Sequence, residues 1–197
     1  MIAIVDYGAG NLRSVRNTLE EIGATYELLT GPARLGAARK IILPGVGHFG
    51  QMMRTLDRLG FREPLADRIR AGVPFLGICL GLQALFESSE EAPTERGLGI
   101  FPGAIRRFTV GRVPQMGWNN LEPVRASRLL NHLPSSPYVY FAHSFYAPEI
   151  AATSAIAIYG LRYTAVIEHE NICAVQFHPE KSGAAGLRIV KNFVDAS

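Results

Sequence analysis

Val73-Pro74-Phe75-Leu76-Gly77-Ile78-Cys79-Leu80-Gly81-Leu82-Gln83-Ala84-Leu85-Phe86 passes from one apolar segment, through a cysteine set between two glycines, into another. Val73 to Ile78 is apolar throughout, which predicts a central strand buried on both faces. Leu80 to Phe86 predicts an amphipathic helix immediately after it. Between them, Gly77-Ile78-Cys79-Leu80-Gly81 has the G-x-nucleophile-x-G form of a nucleophile elbow. Such a strand-to-helix turn presents its central side chain at the carboxyl edge of a sheet. The glycines let neighbouring backbone come close to the turn. The N-terminus of the helix would add N–H donors and the positive end of its dipole, surroundings that favour a thiolate. A buried, inert core cysteine is the competing reading of Cys79.

Toward the N-terminus, Ile2-Ala3-Ile4-Val5 reads as a short buried strand entering a glycine turn at Asp6-Tyr7-Gly8-Ala9-Gly10. Leu12, Val15, Leu19 and Ile22 recur at spacings of three and four and predict a helix. Tyr26 to Leu29 and Lys40 to Pro44 predict two more strands. Met52, Met53, Leu56 and Leu59 mark a second helix, and Leu65 and Ile69 a third. Strands alternating with helices imply a parallel sheet. Beyond about residue 95 the pattern changes to short strand-like stretches: Ala104 to Phe108, Tyr138 to Phe145, Ala155 to Tyr159, Ala165 to Glu168 and Ile172 to Phe177. A last helix is expected over Ala184 to Val194. The fold class is therefore α/β, an open, mostly parallel sheet flanked by helices, with a β-rich and partly antiparallel C-terminal half. Pro93-Thr94-Glu95-Arg96-Gly97 is the best place for a flexible crossing but reads as a surface loop, so residues 1–197 are expected to form one domain.

The 197 residues are 48% hydrophobic and 19% charged, which excludes disorder as a description of the whole. A formal charge of +3, scattered along the chain, is too small for a phosphate-tracking surface, so no nucleic-acid partner is expected. No apolar run approaches the roughly 20 residues of a membrane helix. Met1-Ile2-Ala3-Ile4-Val5 also lacks the basic start of a secretion signal, and a cytoplasmic protein with no membrane partner is expected. Cys79 and Cys173 should both be reduced, Cys173 as inert core in an apolar strand. No CxxC or HExxH spacing occurs and the histidines are dispersed, so neither a metal nor another cofactor is expected.

A nucleophilic cysteine needs a base, and Val175-Gln176-Phe177-His178-Pro179-Glu180 offers one at the end of a late strand. In extended chain His178 and Glu180 would share a face, so that the carboxylate receives one imidazole N–H while the other nitrogen faces the thiol. A third element is Leu43-Pro44-Gly45-Val46-Gly47, a buried strand ending in a glycine loop. Its backbone N–H groups at Gly45 and Val46, with that of Leu80, could serve an oxyanion. Gly45 and Gly47 are expected to rotate freely about Val46, so that an N–H rests turned away and swings inward on activation. Elbow, base and oxyanion loop together describe covalent acyl chemistry.

Gly77-Ile78-Cys79-Leu80-Gly81-Leu82-Gln83 and Phe177-His178-Pro179-Glu180 resemble the signatures of the triad, or class I, glutamine amidotransferases, which take ammonia from the side-chain amide of glutamine. The resemblance covers nearly the whole chain, through Asp6-Tyr7-Gly8-Ala9-Gly10-Asn11-Leu12, Pro44-Gly45-Val46-Gly47-His48-Phe49-Gly50, Met116-Gly117-Trp118-Asn119 and His178-Pro179-Glu180-Lys181-Ser182. Val46, where other branches usually have a further glycine, is similar to the branch that feeds ammonia to a (β/α)8-barrel cyclase forming imidazole glycerol phosphate. The resemblance implies a heterodimer with that cyclase and a glutamyl thioester on Cys79. It also implies that Gln83, Ser144 and Phe145 hold glutamine, and that Asn11, Trp118, Tyr138 and Lys181 face the partner. Three alternatives stand beside it: the glutaminase of a pyridoxal phosphate or anthranilate synthase, a cysteine peptidase on a similar elbow, and a catalytically silent docking domain.

Overall fold

The computed structural model describes residues 1–8 and 11–196. The Ala9 and Gly10 positions of the expected glycine turn lie outside the described residues. In chain order, β1 (Ile2–Val5) leads to α1 (Leu12–Glu21), β2 (Tyr26–Leu29), β3 (Lys40–Gly45), α2 (Phe49–Arg58), α3 (Arg62–Arg70), β4 (Phe75–Cys79) and α4 (Leu80–Gln83). There follow β5 (Phe86–Ser89), β6 (Phe101–Arg107), β7 (Gln115–Asn120), β8 (Glu122–Pro123), β9 (Tyr138–His143) and β10 (Phe145–Tyr146). The last elements are β11 (Thr153–Ile158), β12 (Arg162–His169), β13 (Ile172–Val175) and α5 (Gly183–Asp195).

The main sheet has the order β2-β1-β3-β4-β13-β12-β11-β8. From β2 to β13 the strands are parallel, and β12, β11 and β8 extend the sheet antiparallel. Two smaller sheets, β10-β6-β5 and β7-β9, complete the strands. Parallel strands must be covered on both faces, and their period of two splits the core into two layers. Ala3, Val5, Ile41, Leu43 and Phe75 pack with Met52, Met53 and Leu56 of α2 and Leu65 and Ile69 of α3. Ile2, Ile4, Ile42, Leu76 and Ile78 pack with Val15 and Leu19 of α1 and Ile189, Val190 and Phe193 of α5. Each large apolar side chain so buried contributes about 1.5–3 kcal/mol. The helices on both faces follow from strands too apolar to leave either face wet.

Topology then sets the site. The chain leaves β4, builds the β-rich half, and returns as β13 directly beside β4, with Val175 opposite Ile78. On the other side β3 places Gly45 opposite Cys79. Three strand ends therefore meet at one carboxyl edge, where open α/β sheets bind ligands.

Two expectations are corrected here. The helix predicted over Leu80 to Phe86 is a single turn, Leu80–Gln83, and Phe86 already belongs to β5. Its residues are buried all round, so no polar face exists to sustain an amphipathic helix. The carbonyls of Ala84 and Leu85, which a longer helix would use, instead accept from Leu98 N–H (2.7 Å) and Ile100 N–H (2.8 Å). The Pro93 to Gly97 segment is a surface loop, as expected, but it is tied down: Gly97 N–H donates to Glu87 O (2.9 Å), and Arg62 donates to the carbonyls of Arg96 and Gly97.

Candidate active site

Cys79 ends β4 and turns the chain in a strained backbone, φ +55 and ψ −105. L residues enter that region only where the surroundings hold them there. What holds it is close packing under the turn. A Cβ on Gly81 would collide with the Leu43 carbonyl oxygen, so only glycine lets α4 sit against β3. With α4 reduced to one turn, the dipole expected to stabilise a thiolate is largely lost, and the burden falls on neighbouring side chains.

Because Val175 is opposite Ile78, the bend after β13 brings Gln176, Phe177 and His178 alongside the elbow. His178 is buried and its Nδ1 lies 2.9 Å from Glu180 Oε1. The contact is not made in extended chain: Pro179–Lys181 is a 3₁₀ turn that folds Glu180 back onto the ring. The Glu180 side chain is 2% exposed, and its Oε2 has no partner among the described residues. Burial alone would push the His178 imidazole down. The charge of Cys79, a hydrogen bond to it and the Glu180 carboxylate outweigh that and hold it up at about 10. The Cys79 sulfur and the Glu180 carboxylate therefore both favour the charged form of the His178 imidazole. Cys173, by contrast, is buried in β13, and desolvation pushes its thiol up to about 12, which fits an inert core role.

A cleft of about 200 Å³ opens on Cys79, lined by Val46, Gly47, Leu80, Gln83, His143 and Ser144 among others. Phe145 and His178 also line it, so the expected nucleophile, base and glutamine contacts are brought together. Gly45 behaves differently from expectation. It is buried at the end of β3 with a φ outside the left-handed region, and a Cβ there would stand 2.7 Å from Leu80 Cβ and 2.9 Å from Gly81 N. Glycine is needed at this position for close approach, not for rotation. Gly47, at φ +95 with open space around it, is the conformationally free residue of the loop. Val46 is 36% exposed, and among the described residues the buried Tyr7 hydroxyl has no hydrogen-bond partner.

Gln83 Nε2 donates to Phe145 O (2.9 Å) and to Gln176 Oε1 (3.1 Å), leaving only Oε1 to offer a ligand. Phe145 O also receives His143 Nδ1 at 2.8 Å. A carbonyl can only accept, so the His143 proton is on Nδ1 and Nε2 is a buried acceptor without a partner among the described residues. Burial and the positive His178 nearby hold His143 neutral, at about 4, against the opposing pull of the Phe145 carbonyl. Tyr7, His143 and Gln176 were not anticipated as site residues. The only signal for Gln176 was a polar residue closing an apolar strand, and His143 was legible only as a neighbour of Ser144.

The residues expected to face a partner are in part assembled. Trp118 stacks on Tyr138 at 5.6 Å, meets Tyr140 edge-on, and Lys181 Nζ lies 5.7 Å from the Tyr140 ring. Trp118 is 47% and Tyr138 54% exposed, so Trp118 is not a core residue. Met116, two residues earlier on the same face of β7, is exposed and also lines the Cys79 cleft. Asn11 stands at the start of α1, its Oδ1 accepting from Ser14 Oγ (2.8 Å).

Comparison with known proteins identifies the family. The family model described as glutamine amidotransferase class-I matches residues 3–196. The imidazole glycerol phosphate synthase subunit HisH of Methanothermobacter thermautotrophicus is 50% identical, covering 99% of this chain and 98% of that one. Its counterpart in Nostoc punctiforme is 50% identical over 98% and 95%, and that of Thermus thermophilus 48% over 93% and 91%. Among solved structures, a glutamine amidotransferase superposes with TM-score 0.79 at 18% identity, covering 98% of this chain and 97% of its own. A chain of PurLQS from Thermotoga maritima superposes with TM-score 0.77, also at 18% identity, over 98% and 97%. At that identity the structural likeness speaks for the fold, while the family match and the close relatives speak for descent: the chain belongs to the class I glutamine amidotransferase family.

Proposed function

We propose that this chain is the glutaminase subunit of an imidazole glycerol phosphate synthase, acting over residues 1–197 as one amidotransferase domain in the cytoplasm. The observation that carries the proposal is the convergence in one small cleft of an elbow cysteine, a buried His178 hydrogen-bonded to Glu180, and the Val46–Gly47 loop. Cys79 Sγ attacks the side-chain carboxamide carbon of glutamine, and the oxyanion that forms is met by backbone N–H groups at Leu80 and in the Gly45–Val46 loop. His178 passes its proton to the departing nitrogen, releasing ammonia and leaving a γ-glutamyl thioester. Water, deprotonated by His178, attacks the thioester and releases glutamate and the sulfur anion. Glu180 orients the imidazole and stabilises its charged form. Gln83, Ser144 and Phe145 hold the glutamine.

The partner is a (β/α)8-barrel cyclase, forming a heterodimer on the surface that carries Trp118, Tyr138, Lys181 and Asn11. Continuity between Met116 at the cleft and Trp118 on the same strand face supports delivery of ammonia toward that side. The small cleft volume favours a single amino acid over a polypeptide, against the peptidase alternative.

Glutamate release measured with the chain alone, with the cyclase, and with the cyclase and its ligand tests the proposal. Free glutamine should be hydrolysed weakly by the chain alone and far faster in the liganded complex, while a general peptide substrate is untouched. Equal rates in all three states, or cleavage of the peptide, would overturn it.

A further inference from the structure

The environment of the Cys79 sulfur contains a donor outside the Cys-His-Glu set. Gln176 is fully buried at the bend after β13, and its Nε2 lies 3.6 Å from Cys79 Sγ, within the range for a hydrogen bond to sulfur. Which end of that amide faces the sulfur is not a free choice. Phe145 O can only accept, so the end of Gln83 that sits 2.9 Å from it must be the NH₂ group. The same NH₂ group lies 3.1 Å from Gln176, which must therefore turn its oxygen toward Gln83 and its own NH₂ toward the sulfur. The reverse orientation would set two NH₂ groups against each other and an oxygen lone pair against Sγ.

We propose that Gln176 is a positioning donor for the nucleophile, held in register by Gln83 and the Phe145 carbonyl, so that the sulfur anion has a hydrogen-bond donor besides the His178 imidazolium, both before it attacks and when it leaves the thioester. The assignment of Cys79 as nucleophile comes from the proposed function, on which this inference rests. A hydrogen bond to a charged acceptor is about twice as strong as one to a neutral one, so the contact favours the anion over both the thiol and the acylated sulfur. It thereby assists the sulfur as leaving group when the thioester is hydrolysed. It also links the residues proposed to hold glutamine, Gln83 and Phe145, to the sulfur through a chain of three hydrogen bonds.

The test reads the sulfur directly, without glutamine. The rate of Cys79 alkylation by iodoacetamide is followed across pH in the full chain, in a Cys173→Ala background, for wild type, Gln176→Met and Gln83→Met, with folding checked by circular dichroism. Among the described residues, the titratable groups acting on Cys79 are His178, backed by Glu180, and Tyr7 from the loop after β1. Both substitutions leave all of these in place. Gln176→Met should move the midpoint of the profile up by about one pH unit, a roughly tenfold slower reaction below the midpoint. Gln83→Met, which frees the Gln176 amide to turn, should move it upward by less. An unchanged or lowered midpoint in whichever variants fold overturns the inference. A wild-type Cys79 that resists alkylation at every pH would instead undercut its role as nucleophile, a separate failure.

Discussion

Replacing Gly45 by alanine adds one methyl group at the tightest point of the site. The new Cβ would stand 2.7 Å from Leu80 Cβ, 2.9 Å from Gly81 N and 3.1 Å from Leu80 C. Carbon atoms pack best at about 3.5–4.0 Å, so the elbow must retreat by about 1 Å. Its retreat is not free, because α4 is packed closely on β4 as well, where a Cβ on Gly77 would stand only 2.6 Å from the Gly81 carbonyl oxygen. Overpacking of this kind costs about 1–3 kcal/mol, a fall in Tm of roughly 2–12 °C for a chain of this size. Catalysis should lose more than stability. The displaced residue is Leu80, whose N–H is the proposed oxyanion donor, and loss of one such donor lowers kcat about 100- to 1,000-fold. KM should change little, since that interaction belongs to the transition state. Gly47→Ala supplies the contrast: its φ of +95 adds strain, but no atom lies within 4 Å of the added Cβ, so the elbow is not pushed. Initial rates of glutamate release over a range of glutamine concentrations, paired with thermal melts, decide the matter. A folded Gly45→Ala chain with wild-type kcat would refute the role given to this close contact.

Cys79→Gly should abolish glutamine hydrolysis and yet exceed Cys79→Ala in stability by about 1 kcal/mol, because glycine adopts the elbow conformation without strain; equal urea midpoints for the two variants would show that the turn stores none. His143, held at about 4 rather than 6.5, binds its proton more readily in the unfolded chain than in the folded one. Its contribution to stability is therefore complete above about pH 6.5 and is lost as pH falls toward 4, a change of about 3 kcal/mol. His178, raised to about 10, acts in the opposite window: its contribution is complete below about 6.5 and is lost as pH rises through 10. Urea unfolding of wild type and His143→Phe at pH 7 and pH 4.5 should show a markedly smaller acid loss in the variant, since carboxylate contributions cancel in the comparison. Parallel losses in the two chains would remove His143 from the account.

The layered α/β fold is legible in the residue pattern alone, because strands such as Ile2–Val5 and Ile41–Leu43 carry no polar face and can exist only between two layers of helices. The elbow, the His178-Pro179-Glu180 run and the Pro44 to Gly47 loop are also legible as local patterns, but their geometry is not: the extended chain expected for His178 and Glu180 is a 3₁₀ turn. Whatever depends on register between distant segments is set only when the chain folds. Val175 opposite Ile78 and Gly45 opposite Cys79 bring three strand ends to one point, and no local pattern contains that information. The same holds for α4, whose early end follows from carbonyls claimed by residues 98 and 100, and for Gly45, whose small size answers to Leu80 and not to its own φ. Gln176 is the clearest case. An amide at the end of an apolar strand carries no orientation of its own, and it becomes a donor to Cys79 only because a backbone carbonyl far along the chain can accept and cannot donate.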